Sequence, residues 1–89
     1  MENKGVKKDV VLISDMKSKV SDILTSISWR DLARTYFGKS SSWFYHKMDG
    51  INGVGAPGGF TKEEAKQLKN ALLDLSGRIR RVAEGISQE

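Results

Sequence analysis

The chain has 89 residues, a mass of 9.9 kDa, no cysteine, one histidine and a formal net charge of +4. This length corresponds to one small domain, and it excludes barrels and two-lobed nucleotide enzymes. The lack of cysteine excludes disulfides and thiolate metal sites, and His46 alone cannot form a multi-histidine site, so we expect no metal and no cofactor. No apolar run reaches the ~18 residues of a membrane helix and no signal peptide is visible, which predicts a cytoplasmic protein with no membrane partner.

The first predicted element is a long helix over residues 8–27. Its apolar residues recur every three or four positions, which is typical of a helix with one buried face. They are Val6, Val10, Ile13, Met16, Val20, Ile23 and Ile27. Serine and threonine side chains run beside this stripe, and we expect them to face water.

Two short helices are predicted over residues 28–50. The first begins at Ser28, which has the spacing of a capping box, and it ends at Gly38. The second begins at Ser40, a favourable N-cap, and ends at the next glycine. Only about three residues connect the two helices, so we expect a tight turn between them.

A glycine-rich loop is predicted over residues 51–60, since five of the nine glycines of the chain fall between positions 50 and 60. The loop follows no predicted strand and lacks the lysine–threonine ending of a phosphate-binding loop. Nucleotide binding by this loop is therefore not expected.

The last predicted element is a long helix over residues 61–86. Thr61 and Glu64 have the spacing of a capping box at its start. Its apolar residues recur with the alternating spacing of a heptad seam. They are Ala65, Leu68, Leu72, Leu75, Ile79, Val82 and Ile86.

The two long helices raise the question of what covers their apolar seams. Two short helices of about 15 Å cannot cover two helices of about 30–36 Å. We therefore expect the long helices to pair with each other and with a second copy of the chain, as a homodimer. The predicted contacts are Ala65, Leu68, Leu72, Leu75, Ile79 and Val82, together with Ile13, Val20 and Ile27. The alternative is a monomeric four-helix domain.

Residues 29–50 carry the most informative pattern. A short helix containing Leu32 and Ala33, a glycine turn, a serine cap and a second helix are typical of a helix-turn-helix. Ala33 is small where the two helices would cross, and Phe44 and Met48 are spaced to face the core. The sequence thus predicts an all-α single domain in which two long helices flank a central helix-turn-helix and a glycine-rich loop.

This segment resembles the helix-turn-helix of plasmid-partition and phage-repressor DNA-binding proteins. The resemblance is carried by Leu32-Ala33 and by the run Gly38-Lys39-Ser40-Ser41-Ser42-Trp43-Phe44. There are two departures: Ala33 lies five residues before Gly38 where the pattern has four, and Lys47 occupies a position that is usually apolar. The wider chain also resembles a family of short bacterial proteins, a likeness that carries no activity with it.

The resemblance implies a small DNA-binding protein of the transcriptional or mobile-element regulator type, whose second helix enters the major groove of double-stranded DNA. It places on the groove-facing side Ser40, Ser41, Ser42, Tyr45, His46 and Asp49. Residues 29–50 also carry four basic and two acidic side chains, a net +2 that is half the charge of the chain. The expected phosphate contacts are Arg30, Arg34, Lys39 and Lys47.

A second hypothesis is a protein-interaction or oligomerisation module that keeps this shape without binding DNA. Consecutive helical residues are ~100° apart, so Trp43, Phe44 and Tyr45 cannot all point into one core. This hypothesis puts Trp43 and Tyr45 at an interface, whereas Trp43 packed against Trp29, the loop or the long helices is the competing reading. No carboxylate pair or nucleophile–base set is present, so we do not expect an enzyme.

Overall fold

The computed structural model describes residues 12–51 and 58–87. These described residues form the four α-helices α1 (Met16–Lys19), α2 (Trp29–Leu32), α3 (Ser41–Asp49) and α4 (Lys62–Ser87). A 3-10 turn, Ser21–Ile23, follows α1, and a π-helix, Ala33–Phe37, directly continues α2. No strand is present among the described residues, and the predicted all-α class is confirmed.

The predicted long helix over residues 8–27 is wrong over the part that the structure describes, because helix there is limited to α1 and the 3-10 turn. Residues 8–11 lie outside the described residues. Ile13 forms an isolated antiparallel bridge instead: its N–H donates to the carbonyl of Phe60 at 2.7 Å, and the N–H of Phe60 donates back at 2.9 Å. After Val20 the chain is rich in β-branched and hydroxyl side chains, which have low helix propensity.

The periodicity of this segment still identified its buried side. Met16 and Val20 belong to the core, and Ile13, Ile23 and Ile27 pack against it. Val20 is buried in this chain's own core, and Ile13 and Ile27 are half-buried against it, so the expected contacts of these three side chains with a second copy stay a prediction. The neighbouring serine and threonine side chains are exposed, as predicted.

The core joins the two short helices to the start of α4. Its largest fully buried side chains are Phe44, Phe60 and Leu68. The ring of Phe44 stacks on Trp29 with 5.7 Å between centroids, and it meets Phe60 edge-on at 5.6 Å. The indole N–H of Trp29 donates to the carbonyl of Leu24 at 2.8 Å, so its one polar group is satisfied.

The predicted loop is described only at its ends, because residues 52–57 lie outside the described residues. The two ends meet, since the N–H of Gly58 donates to the carbonyl of Gly50 at 2.9 Å. Gly59 has a φ of +140°, and a Cβ there would lie 2.5 Å from the carbonyl oxygen of Ile13. Glycine at this position therefore permits the bridge between Ile13 and Phe60.

The long helix α4 begins and ends within one residue of the prediction. The capping box is confirmed: Thr61 Oγ1 accepts from the N–H of Glu64 at 3.1 Å, and Glu64 Oε1 accepts from the N–H of Thr61 at 2.9 Å. Leu68 and Ala71 are buried in the first half of the helix, whereas Val82 near its end is 64% exposed. The last turns of α4 thus extend past the core.

Candidate nucleic-acid interface

The first helix of the predicted helix-turn-helix is formed by α2 and its π continuation. Ser28 caps it, because its Oγ accepts from the N–H of Asp31 at 3.2 Å. Trp29, Leu32 and Ala33 are buried on its inner side. The capping interaction and the buried side both agree with the sequence pattern.

The π-helix accounts for the unusual spacing between Ala33 and Gly38. A π-helix accommodates one more residue per turn than the α-helical ladder, which absorbs the additional residue. The N–H of Gly38 donates to Arg34 O and that of Lys39 donates to Ala33 O, both at 3.2 Å. Gly38 ends the helix with a φ of +64°, and Ala33 remains fully buried. The first departure from the helix-turn-helix pattern is therefore accommodated without loss of the inner contact.

The second helix, α3, has the predicted caps and core side. Ser40 Oγ accepts from the N–H of Trp43 at 3.1 Å, and Gly50 ends the helix with a φ of +75°. Phe44 and Met48 are buried, as predicted. The inward direction of these two side chains fixes which residues of α3 face outward.

The outward side of α3 is polar. Four of the six residues expected to face a DNA groove are exposed, namely Ser40, Ser42, Tyr45 and Asp49. The other two, Ser41 and His46, are half-buried. The carboxylate of Asp49 accepts from Lys17 Nζ at 3.4 Å across exposed surface. The outward side thus offers hydroxyl groups and a paired acid rather than a row of cations.

Three cations of the predicted helix-turn-helix have no acidic partner among the described residues. Arg30 and Arg34 are exposed and four residues apart, so they lie on one face of the first helix. Lys39, in the turn, is exposed and lies 5.7 Å from the ring centroid of Trp43. None of the three forms an ion pair with a described acidic side chain.

Lys47 is bound within the domain, in contrast to the other three cations. Its Nζ donates to Glu64 Oε1 at 2.8 Å and lies 5.3 Å from the ring centroid of Trp43. Partial burial raises the pKa of Glu64, but the hydrogen bonds from Lys47 and from the N–H of Thr61 lower it more, so its pKa is below the ordinary value. Lys47 thus occupies a usually apolar position while it pairs with an acid of its own domain, and its expected phosphate contact stays a prediction.

The aromatic side chains of α3 differ in exposure. Trp43 is half-buried and packs on Phe37 with 5.4 Å between ring centroids. Phe37 was not among the partners expected for it. Tyr45 is 44% exposed on the same helix. Tyr45 is therefore the aromatic side chain of α3 that is available to an outside molecule.

The chain matches the family described as Domain of unknown function (DUF5053) over residues 16–86. The chain belongs to the DUF5053 family. The matching stretch begins at the first residue of α1 and ends one residue before the last of α4, so the DUF5053 region includes both the helix-turn-helix and the exposed end of α4. No curated protein and no solved structure matches the chain.

One hydrogen-bond network of this DUF5053 domain was not predicted. The hydroxyl of Tyr36 donates to a carboxylate oxygen of Asp74, and Arg78 Nη1 donates to the Tyr36 oxygen at 2.9 Å, which raises the pKa of Arg78. Gln67 Nε2 donates to the backbone carbonyl of Tyr36 at 2.9 Å. These partners are 31 to 42 positions apart, so no local sequence pattern signals them.

The described part of the DUF5053 domain lacks two other kinds of feature. None of the described helices is long and apolar enough to cross a membrane. The described residues contain no group of three or more histidine, aspartate or glutamate side chains placed to hold a metal ion.

Proposed function

We propose that the protein is a small DNA-binding protein that inserts α3 into the major groove of double-stranded DNA. The observation that carries this proposal is the separation of the cations into two groups. Arg30, Arg34 and Lys39 are exposed without a described acidic partner, whereas Lys47 is neutralised by Glu64. Cations left unpaired around a short, capped helix suit phosphate contacts, which position a protein on DNA.

The outward side chains of α3 would then contact base edges. Ser42 and Tyr45 carry hydroxyl groups, which can both donate and accept hydrogen bonds and so suit several bases in the major groove. Arg30 and Arg34 would contact one strand of the backbone from the first helix, and Lys39 would contact it from the turn. In this arrangement the three cations provide most of the affinity for DNA, and the outward side chains of α3 determine which bases are preferred.

Salt-dependent binding tests this proposal. Fluorescence anisotropy of a labelled duplex of about 20 bp would be measured between about 50 and 200 mM salt. Three phosphate contacts predict a slope of log K against log salt of about −2.7, at about −0.9 per contact. Absence of salt-sensitive binding to any duplex, including genomic fragments, would contradict the proposal.

A matched pair of double variants locates the binding surface. Arg30→Gln combined with Arg34→Gln should reduce the magnitude of the slope by about 1.8. Arg80→Gln combined with Arg81→Gln removes the same charge from the exposed end of α4 and should leave the slope unchanged. Equal losses in both double variants would mean that net charge, and not the helix-turn-helix, drives binding.

The second candidate is a protein-interaction module, and the exposed apolar side chains at the end of α4 favour it. Tyr45 discriminates the two candidates, because it is exposed on α3. If α3 contacts bases, Tyr45→Ala changes the base preference and leaves the molecular mass unchanged. If α3 contacts protein, the same variant alters the oligomeric mass, and neither the wild type nor the variant shows salt-sensitive binding to DNA.

A further inference from the structure

An apolar groove lies between the α1 segment and the first half of α4. Met16 and Val20, at the start and the C-cap of α1, form one wall, and Leu68, Leu72 and Leu73 line it from α4. The groove has a volume of about 360 Å³, and Leu73 on its rim is 60% exposed. Its lining on α4 extends from residue 65 to residue 76, which is about 16–17 Å or about three helical turns. A groove of this length can accept a short segment of chain.

Three lysines follow the outer edge of this groove on α4. Lys62, Lys66 and Lys69 are spaced four and three residues apart, so they lie on one side of the helix, within about 60° of each other. All three are exposed, and none forms an ion pair with a described acidic side chain. Lys69 itself lines the groove. We call these three residues the lysine edge.

The acidic side chains of the same part of α4 lie on other sides of the helix. Glu63 and Asp74 are about 90° or more around the helix from the centre of the lysine edge, and the carboxylate of Asp74 accepts from Tyr36. Glu64 lies almost opposite the lysine edge and is paired with Lys47 of α3. None of the described residues that line the groove is acidic. The groove is thus apolar along its floor and positive along its α4 edge.

The chemistry of this surface identifies the kind of partner that fits it. Side chains of α1 and α4 form both walls, so the groove offers no strand edge to which an extended peptide could add. An amphipathic helix of about three turns matches the length of the groove and places an apolar side chain on its floor every three or four residues. Acidic side chains on that helix would meet the lysine edge. A two-fold contact with a second copy would instead bring two positive surfaces together, and DNA would leave the apolar floor uncovered.

We propose that this groove binds an acidic amphipathic helix of another protein, with the apolar side of that helix against Leu72 and Leu73 and its carboxylates along the lysine edge. The surface lies on the side of α4 away from α3, because Glu64, which pairs with α3, is about 140–160° around the helix from each of the three lysines. Occupation of the groove thus leaves α3 uncovered. The inference goes beyond DNA binding and does not depend on it.

Fluorescence anisotropy of labelled synthetic peptides with the full chain tests the groove. The probe is a helical peptide of about 14 residues with leucines spaced three and four residues apart and glutamates on its polar side. The full chain should bind this probe, and binding should weaken as salt rises, because the charged contacts are exposed. One control peptide carries lysines in place of the glutamates, and another carries serines in place of the leucines. No binding of the probe at about 1 mM protein, or equal binding of either control peptide, would overturn the proposal.

Two double variants separate this surface from the helix-turn-helix. Lys66→Gln combined with Lys69→Gln should weaken binding of the probe about three- to ten-fold at low salt, as the loss of two surface ion pairs does, and should leave the salt slope for DNA unchanged. Arg30→Gln combined with Arg34→Gln removes the same charge and should leave binding of the probe unchanged. Equal weakening by both double variants would mean that net charge alone attracts the probe. A smaller salt slope for DNA in the lysine variant would assign the lysine edge to phosphates, and either result would overturn the proposal.

Leu73→Ala tests the apolar floor and whether a second copy covers it. Leu73 is 60% exposed, so the variant should retain the fold, which circular dichroism checks. It should weaken binding of the probe several-fold, because apolar contact is lost. Sedimentation equilibrium of the variant without the probe should give the same mass as the wild type. Unchanged affinity for the probe would overturn the proposal, and so would a lower mass than that of the wild type, which would mean that a second copy occupies the groove.

Discussion

At the level of single side chains, the ion pair between Lys47 and Glu64 connects α3 to the first turn of α4. Glu64 accepts at once from the Lys47 ammonium and from the Thr61 N–H that it caps. One carboxylate therefore caps α4 and ties α3 to it. Both side chains are less than a quarter exposed, so solvent screens this pair less than a surface salt bridge.

The lowered pKa of Glu64 makes this contribution depend on pH. A carboxyl group with a depressed folded-state pKa stabilises the fold fully above its unfolded pKa, about 4.3, and the contribution is lost as the pH falls through the folded pKa. Glu64→Gln should lower the free energy of unfolding by about 1 kcal/mol at neutral pH, and the difference from the wild type should disappear in acid. Urea unfolding at several pH values measures both.

Glu63→Gln is the matched control for this residue. Glu63 lies in the same first turn of α4, where it also faces the helix dipole, but its side chain is exposed. Glu63→Gln should lower the free energy of unfolding by only a few tenths of a kcal/mol. A loss at Glu63 as large as that at Glu64 would assign the effect to the helix dipole rather than to the Lys47 pair.

At the level of elements, Ile13 pairs with Phe60 in an isolated bridge at a position where the sequence predicts a helix. Gly59 stands at the contact, with a φ of +140° and no room for a Cβ beside the backbone of Ile13. Gly38 also has a positive φ, +64°, but an added Cβ there meets nothing within 4 Å. A side chain at Gly38 would therefore meet only the strain of a left-handed backbone, whereas a side chain at Gly59 would also clash with Ile13.

Alanine substitutions at these two glycines should differ in cost. Gly38→Ala should lose about 1 kcal/mol, the cost of a left-handed conformation in open space. Gly59→Ala should lose about 2–4 kcal/mol, because it must also displace the backbone of Ile13. Chemical denaturation of both variants checks the order, and equal losses would mean that the bridge contributes little to stability.

The elements that could be predicted from the sequence are those specified by neighbouring residues. The capping box of Thr61 and Glu64 and the αL glycine at position 38 involve groups within a few residues of each other, so local spacing was sufficient. Ile13 could not be placed, because its partner Phe60 lies in a distant part of the chain. Apolar periodicity identifies the buried side of a segment but not the length over which it remains helical.

The candidate site divides in the same way. The inward direction of Phe44 and Met48 followed from their spacing, and it fixed the outward side of α3. Lys47 and Glu64 belong to two different helices, 17 positions apart, and no local spacing in the sequence indicates that they pair. From the sequence alone, Lys47 therefore belongs with the other cations that are expected to contact phosphates. Its usually apolar position was the one signal in the sequence that set it apart.

At the level of the whole molecule, the shape is elongated. The radius of gyration is 16.1 Å, against about 12 Å for a compact domain of this length, and the longest extent is 63 Å. The exposed tail of α4 lies past the core, so a monomer leaves apolar surface in water that a small domain can rarely spare. Pairing with a second copy, which the sequence predicts, would cover such surface.

The melting temperature should therefore depend on protein concentration. If two copies pair as the sequence predicts, the wild-type Tm should rise by several degrees between about 5 and 500 µM, since association stabilises the folded state by mass action. Val82→Lys should show a constant Tm near the low-concentration value of the wild type, because Val82 is exposed and contributes little to the monomer core. A wild-type Tm that does not change over this range would argue against the dimer.

The continuity of α4 also limits how such a chain can change in length. The helix runs unbroken for 26 residues from the cap that holds Lys47 to the exposed end. One residue inserted midway would rotate everything beyond it by about 100° and advance it by about 1.5 Å, which turns Ile79, Val82 and Ile86 away from the helix face that carries Leu68. Two full turns, about seven residues, restore the phase. Insertions or deletions in α4 that keep its apolar residues on one side of the helix therefore come in steps of about seven residues. Each such step moves the exposed end of α4 by about 10 Å along the helix axis.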